Sequence, residues 1–409
     1  MKRLESNKRS RTRTIAFLIA LVIAAGAFIY TFFNGRRERS GLRTVVANVE
    51  KDALNYSSGV IFEYYFSGRR AEIRSDYAAL QADYSAALSR AYKLLDPVNT
   101  YPGLGNLASV NQGAGTDVVI EPELYELLRE ALARTEEGFG FSVFAGALYA
   151  AWDEILLLED PLPFDPLNNE TSAERLGRLA AATNDPENFR LTLTDGAQKT
   201  ARLEVSERYR ALLEELELSA PVLSFNVLQD ACKLDLTAAA LAARGWTRGH
   251  FTAESGLTVS LPAQPEGRYC FYGIQGNDVT PMAYAKLRPG SAACNFRAFP
   301  VQKGEYGFYS VESGGEVFQR FRYLTTAGFN QSLQSAFSID PNGSAAEAAC
   351  QCVRLFSADW SAPGSAPVLP ETACITGWAF WGRKTVEVRG AGPEDAVAAA
   401  AEYGWELAS

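Results

Sequence analysis

The chain has a single histidine, His250, only two methionines, and no cysteine before Cys232. Its six cysteines include no C-x-x-C pair, the nearest spacing being Cys350-x-Cys352. That ligand supply excludes the usual tetrahedral zinc and imidazole-based metal centres. No Leu-x-x-Cys lipidation signal occurs near the N-terminus, and no A-x-A cleavage pattern follows the one long apolar run. The formal charge is −9, with +5 in the first thirteen residues and hence −14 on the rest. A body this acidic, without a lysine and arginine cluster, argues against nucleic acid and anionic lipid as its partners.

Residues 1–13 carry Lys2, Arg3, Lys8, Arg9, Arg11 and Arg13 against Glu5. Thr14–Phe33 follows, twenty residues without a charge. As a helix this run is about 30 Å long, enough to cross a hydrocarbon core. It is longer than a signal-peptide core. The expectation is a signal anchor: a cytoplasmic basic tail over 1–13, one transmembrane helix over 14–33, and an extracytoplasmic body held at the cell membrane. Arg36, Arg37, Arg39 and Arg43 weaken that charge asymmetry without reversing it. Residues 34–58 read as a polar stalk and 59–409 as one exported domain. Export permits disulfides, but the spacing specifies no pairs.

Periodicity predicts a mixed body. Tyr77, Leu80, Tyr84, Leu88, Ala91 and Leu95 lie on one helical face ended by Asp96-Pro97, and Pro122 starts a second helix. Thr171-x-x-Glu174 reads as a capping box, Ser206–Leu218 as a helix, and Leu234–Arg244 as an alanine-rich helix stopped by Gly245. Phe251–Leu261 alternates like one strand, with further strands at Arg268–Ile274, Glu305–Val311 and Val317–Leu324. Gly392-Pro393 would open a last helix closed by Gly404. Without a regular βαβ alternation, the fold class is α+β. His250 reads as an exposed loop residue, and Asp340-Pro341-Asn342-Gly343 as a turn.

Five blocks then stand in one order: Gly105–Asn111 (GNLASVN), Gly138–Trp152 (GFGFSVFAGALYAAW), Leu223–Asp235 (LSFNVLQDACKLD), Phe337–Pro341 with Gly343 (FSIDP-x-G), and Glu371–Gly382 (ETACITGWAFWG). In that order they resemble SELSRLN, GGAFDPTVGPLVNLW, LDLGGIAKGYAVD, HIIDPRTG and ADALSTALFVLG of the ApbE-type FAD:protein FMN transferases. Ser255-Gly256 resembles that family's Gly-Gly. The resemblance implies a two-lobed, ApbE-like flavin transferase fold. It also implies FAD and Mg²⁺ as cofactors, and transfer of FMN to a Ser or Thr of an exported or membrane acceptor protein, with release of AMP.

Carried over by position, the nucleotide contacts fall on Gly140, Phe141, Ser142, Asp230, Ser255, Gly256 and Ser338. The metal contacts fall on the Val227 carbonyl, Thr372 and Thr376, and no catalytic residue is assigned. Several polar positions have changed. Thr372 replaces the metal-binding aspartate, Asp230 a lysine, Ser142 the aspartate of AFDPTV, and Phe337 the histidine of HIIDP. Asn226-Val227 replaces a permissive Gly-Gly. Two readings follow: an active transferase in which Asp230 supplies the lost carboxylate, or an inactive flavin-binding or partner-docking module at the cell surface. Phe141, Ala147, Leu148 and Trp152 read as core, and Asp230 by itself as a solvated or helix-capping residue.

Overall fold

The computed structural model describes residues 40–48, 59–137, 140–300, 309–313, 316–320, 332–358, 360, 373–390 and 397–408. The stretch expected to span a membrane, 14–33, and the position of Thr372 lie outside these residues. Among the described residues no helix is long and apolar enough to cross a membrane.

Strand β1 (Gly41–Val45) pairs antiparallel with β2 (Val60–Phe66) and buries Val45, so this part of the expected stalk belongs to the folded body. Helix α1 (Arg70–Leu95) buries Ile73, Leu80, Tyr84, Leu88, Ala91 and Leu95 along the predicted face. Asp96 ends it, accepting from the Val98 and Asn99 N–H groups at 2.9 and 3.0 Å and turning the chain into α2 (Leu107–Gln112). Next come β3 (Val118–Val119) and α3 (Pro122–Glu136), which has proline at its tolerated first position.

Helix α4 (Gly146–Leu156) is followed by α5 (Glu170–Thr183), capped by Asn169 accepting from the Ser172 N–H at 3.0 Å. The box at Thr171 is therefore not the cap: the helix starts two residues earlier, with a stronger capping side chain. The hairpin of β4 (Phe189–Asp195) and β5 (Lys199–Val205) leads to α6 (Glu207–Glu215), capped by Ser206, and then to α7 (Gln229–Ala243).

The run read as one strand is a hairpin, β6 (Gly249–Ala253) and β7 (Leu257–Ser260), turned by Gly256 at φ +86°. His250 is not in a loop: it lies in β6, its Nε2 3.2 Å from Glu63 Oε2 on β2. Strands β8 (Gly267–Gln275), β9 (Asp278–Leu287), β10 (Ala292–Arg297), β11 (Tyr309–Ser313), β12 (Glu316–Arg320) and β13 (Leu333–Asp340) lead into α8 (Ala345–Ser357). Strands β14 (Ile375–Phe380) and β15 (Thr385–Arg389) follow. In place of the expected last helix, the described residues form β16 (Ala398–Ala399), a 3-10 turn at Ala401–Tyr403 and β17 (Glu406–Leu407). Gly404 closes that turn in the left-handed region, so the glycine signal was right and the helix length wrong.

One nine-stranded sheet, β1-β2-β6-β7-β10-β13-β14-β15-β17, organises the body. Helices α1, α7 and α8 cover one face, burying Phe62, Leu80, Phe251, Cys294, Ala336 and Trp378 among others. The small sheet β16-β9-β8 covers the other, around Phe271, Met282, Phe337 and Ile375. A third core joins α4, α5 and α6, where Trp152, Leu176, Leu179 and Tyr209 are buried. Phe141, Ala147, Leu148 and Trp152 are all core residues, as expected. Helices and strands are mixed without βαβ alternation, which agrees with the α+β reading.

Candidate functional site

The first and second blocks contact the third directly, the third contacts the start of α8, and the fourth pairs with the fifth. The side-chain amide of Asn111 donates to the Leu223 carbonyl at 3.0 Å, and its oxygen accepts from the Leu223 N–H at 2.8 Å. Ser224 N–H donates to the Val143 carbonyl, Gly146 N–H to the Val222 carbonyl, and Asn226 Nδ2 to the Ser142 carbonyl. Asp235, closing the third block, accepts from the start of α8, which directly follows the fourth. Between the fourth and fifth, Ser338 on β13 stands opposite Thr376 on β14.

Above the second block lies a cavity of about 490 Å³, lined by Gly140, Phe141, Ser142, Thr135, Glu136 and Arg190 among others. Gly140 has φ +76°, and a Cβ there would stand 1.7 Å from Ser357 Oγ. Only glycine lets this loop lie against α8. Ser142 is buried, its Oγ accepting from the Phe144 N–H at 3.2 Å, so it shapes the loop. Facing the loop is a 3-10 turn, Asn226–Leu228, which packs on α8. Asn226 takes φ +50° where the sequence comparison has glycine. Asparagine is the side chain best suited to that region, so the backbone turn survives the substitution. Its Oδ1 is buried without a hydrogen-bond partner among the described residues.

Asp230, in the first turn of α7, is bound to Lys233 Nζ at 2.8 Å. Lys233 is the residue the sequence reading missed: its side chain is 8% exposed, and it places a cation one helical turn beyond Asp230. With Lys233 as its partner, Asp230 is not a free carboxylate available to replace a missing metal ligand.

Ser255 Oγ is buried without a partner, and Gly256 approaches Asn295, whose carbonyl a Cβ would meet at 2.2 Å. Ser338 Oγ is likewise buried and unpartnered, on the sheet face under α8. Thr376 is buried beside it, opposite Arg389 on the far side. Phe337 points the other way, stacked on Phe271 with ring centroids 3.9 Å apart. It fills a core, and its ring does not line the cavity over Gly140. Val227 offers its carbonyl from the Asn226–Leu228 turn, but among the described residues no three His, Cys, Asp or Glu side chains gather as a metal-binding group.

Helix α8 carries a second overlooked pair. Gln351 Nε2 donates to Glu347 Oε1 at 2.6 Å, while Gln351 Oε1 is buried without a partner. Arg134 on α3 reaches the same carboxylate at 3.4 Å, and Arg354 on the next turn pairs with Glu137. Burial, and then the neighbouring Arg134, lower the Arg354 pKa. Glu347 and Gln351 lie four apart on α8 and so share a face.

Among solved structures, the ApbE protein from Thermotoga maritima superimposes with a TM-score of 0.52 at 12% identity, covering 89% of this chain and 98% of that one. The chain has the ApbE fold. The flavin transferase ApbE from Vibrio cholerae matches with a TM-score of 0.50 at 9% identity, covering 83% of this chain and 94% of that one. No protein-family model matches the sequence, and no curated protein matches it. On this ApbE scaffold the cavity over Gly140–Ser142, the Asn226–Leu228 turn and α8 are contiguous, and they define the candidate site.

Proposed function

We propose that the chain binds FAD in the cavity over Gly140–Ser142 and transfers its FMN half to a Ser or Thr of an exported or membrane acceptor. The observation that carries this reading is a cavity of ligand-site size over Gly140–Ser142, a loop held by Asn226 of the 3-10 turn and packed on Ser357 of α8, on the ApbE scaffold. The phosphates would lie towards Lys233, a buried cation one turn along α7 from Asp230. The set first expected for Mg²⁺, Val227 with Thr372 and Thr376, lacks the carboxylate that this hard cation ordinarily requires. Glu347 and the unpartnered Gln351 Oε1 offer two hard oxygen donors on one helix face, with Arg134 holding the Glu347 carboxylate as Lys233 holds that of Asp230. When bound, Mg²⁺ neutralises charge developing on the phosphate oxygens. The chain's own part is to bind the nucleotide, hold the acceptor hydroxyl in line and exclude water.

A second reading, flavin binding without transfer, is favoured by Arg134, which already occupies the Glu347 carboxylate. Quenching of FAD fluorescence tests the binding and AMP release tests the transfer. Quenching without AMP at any Mg²⁺ concentration selects the second reading, and no quenching sinks both. We also propose that residues 14–33 anchor the chain in the cell membrane with residues 59–409 outside. Protease digestion of spheroplasts should remove the body and spare the tail; a fully protected body would overturn this topology.

A further inference from the structure

Helix α8 begins with every early N–H group satisfied by a side chain. Ser344 N–H donates to Asp340 Oδ2 at 2.8 Å, and Glu347 N–H donates to Ser344 Oγ at 3.0 Å. The two N–H groups between them, of Ala345 and Ala346, donate to Asp235 Oδ1 and Oδ2 at 2.7 and 3.0 Å. Ser344 Oγ adds a third bond to the same carboxylate at 3.3 Å. A helix can be capped by its own flanking residue, as Ser344 does here. Asp235 belongs to a different helix, and its two oxygens bridge α7 to the first turn of α8.

An anion at a helix N-terminus is favoured by the helix dipole and by charge-assisted bonds. Burial works against the charged form and outweighs that attraction, so Asp235 is held in place by its three hydrogen bonds to the start of α8. The clamped turn is the one that carries Glu347, with Gln351 one turn further on the same face. Arg134 faces this group from α3, and Cys232 and Cys350 lie beside it on α7 and α8.

We infer that Asp235 is a positioning residue: by holding the first turn of α8 against α7, it sets where Glu347 and Gln351 stand relative to Arg134 on α3 and to the Gly140 loop that borders the cavity. The inference rests on the proposed reading of those two residues as cation ligands. Its direct physical content, the clamp itself, does not.

The test uses the full chain in detergent, as wild type, Asp235→Ala and Asp235→Asn, with Mn²⁺ as the cation probe. Three quantities are measured: amide exchange across residues 345–351, Mn²⁺ affinity of the FAD-loaded protein, and FAD affinity in EDTA. Asp235→Ala should raise exchange at least tenfold and weaken Mn²⁺ at least tenfold, with FAD affinity in EDTA unchanged within twofold. Asp235→Asn keeps one acceptor oxygen and should recover most of both losses; it also serves if the alanine variant does not fold. Exchange and Mn²⁺ affinity within twofold of wild type in both variants would overturn the inference. So would a parallel loss of FAD affinity in EDTA, because Asp235 would then support the body in general. A wild-type chain that binds neither FAD nor Mn²⁺ sinks the reading of the site, and exchange at 345–351 then decides the clamp.

Discussion

On one face of the nine-stranded sheet, three helices cover a core that still contains polar side chains. Ser338, Thr376 and the Asp235 bridge all lie on that side. On the opposite face the small sheet β16-β9-β8 packs down on aromatic and aliphatic residues, with Phe271 and Phe337 stacked at its centre. Adjacent residues of β13, Phe337 and Ser338, serve these different cores because strand side chains alternate. A motif written as a string treats the two as one block. The sheet separates them, and only one of them faces the helices that bear the candidate site.

The strongest way to break this contrast is on the apolar face. Phe337→Ala should destabilise the body by about 3–5 kcal/mol, read as a fall in denaturation midpoint, because a stacked and fully buried ring is lost. Phe337→His, which restores the family's residue, should also destabilise it and should leave FAD affinity unchanged; tighter FAD binding would show that this side chain does reach the nucleotide. Gly377→Ala comes next, at roughly 1–3 kcal/mol, since its Cβ would stand 2.2 Å from Phe337 Cζ.

On the helical face the expected effects are more selective. Asp235 gives a pH signature. Burial pushes its carboxyl up to about 7, partly opposed by hydrogen bonds from Ala346, Ala345 and Ser344. Between its ordinary value of 3.8 and about 7, the folded chain keeps a proton that the unfolded chain has released. Its contribution to stability is therefore full below that window and is lost as pH rises through it, by on the order of 4 kcal/mol. Subtracting the Asp235→Asn profile isolates that slope, and superimposable profiles would remove the effect. Asn226→Ala should cost about 2 kcal/mol, through the left-handed backbone and the lost bond to the Ser142 carbonyl. Asn226→Gly should retain the turn and recover most of that loss, which equilibrium unfolding can check. Smallest of all, Ser338→Ala should change stability by no more than about 0.5 kcal/mol, because the hydroxyl it removes has no partner. A large loss there would mean that the polar face is as tightly specified as the apolar one.

Much of the frame was legible in the residues. The apolar stripe of α1, the proline opening α3, the alanine-rich α7 and the glycines at Gly245 and Gly404 follow from local spacing and backbone freedom, and the structure bears them out. The last helix failed because a glycine stop specifies where a segment ends without specifying how long it is. His250 was misplaced because one polar residue at a strand start carries no periodicity. The site was less legible. Asp230 read by itself as a solvated or helix-capping residue, with metal replacement as an alternative, and only the fold showed Lys233 one turn away holding it. Glu347 and Gln351 were overlooked because only the helix makes their four-residue spacing a shared face.

By itself the sequence determined which segments are apolar on one side, where the chain must turn, and that an ApbE-like order of blocks runs through the body. These properties depend on neighbours within a few residues, or on order alone. Tertiary structure decided which of those residues meet: that Phe337 belongs to a core, that Asn226 keeps a glycine's turn, and that Asp235 reaches across to α8. Such pairings join positions up to about a hundred residues apart. Their energies depend on burial and hydrogen-bond geometry, which exist only once the sheet and its covering helices have assembled.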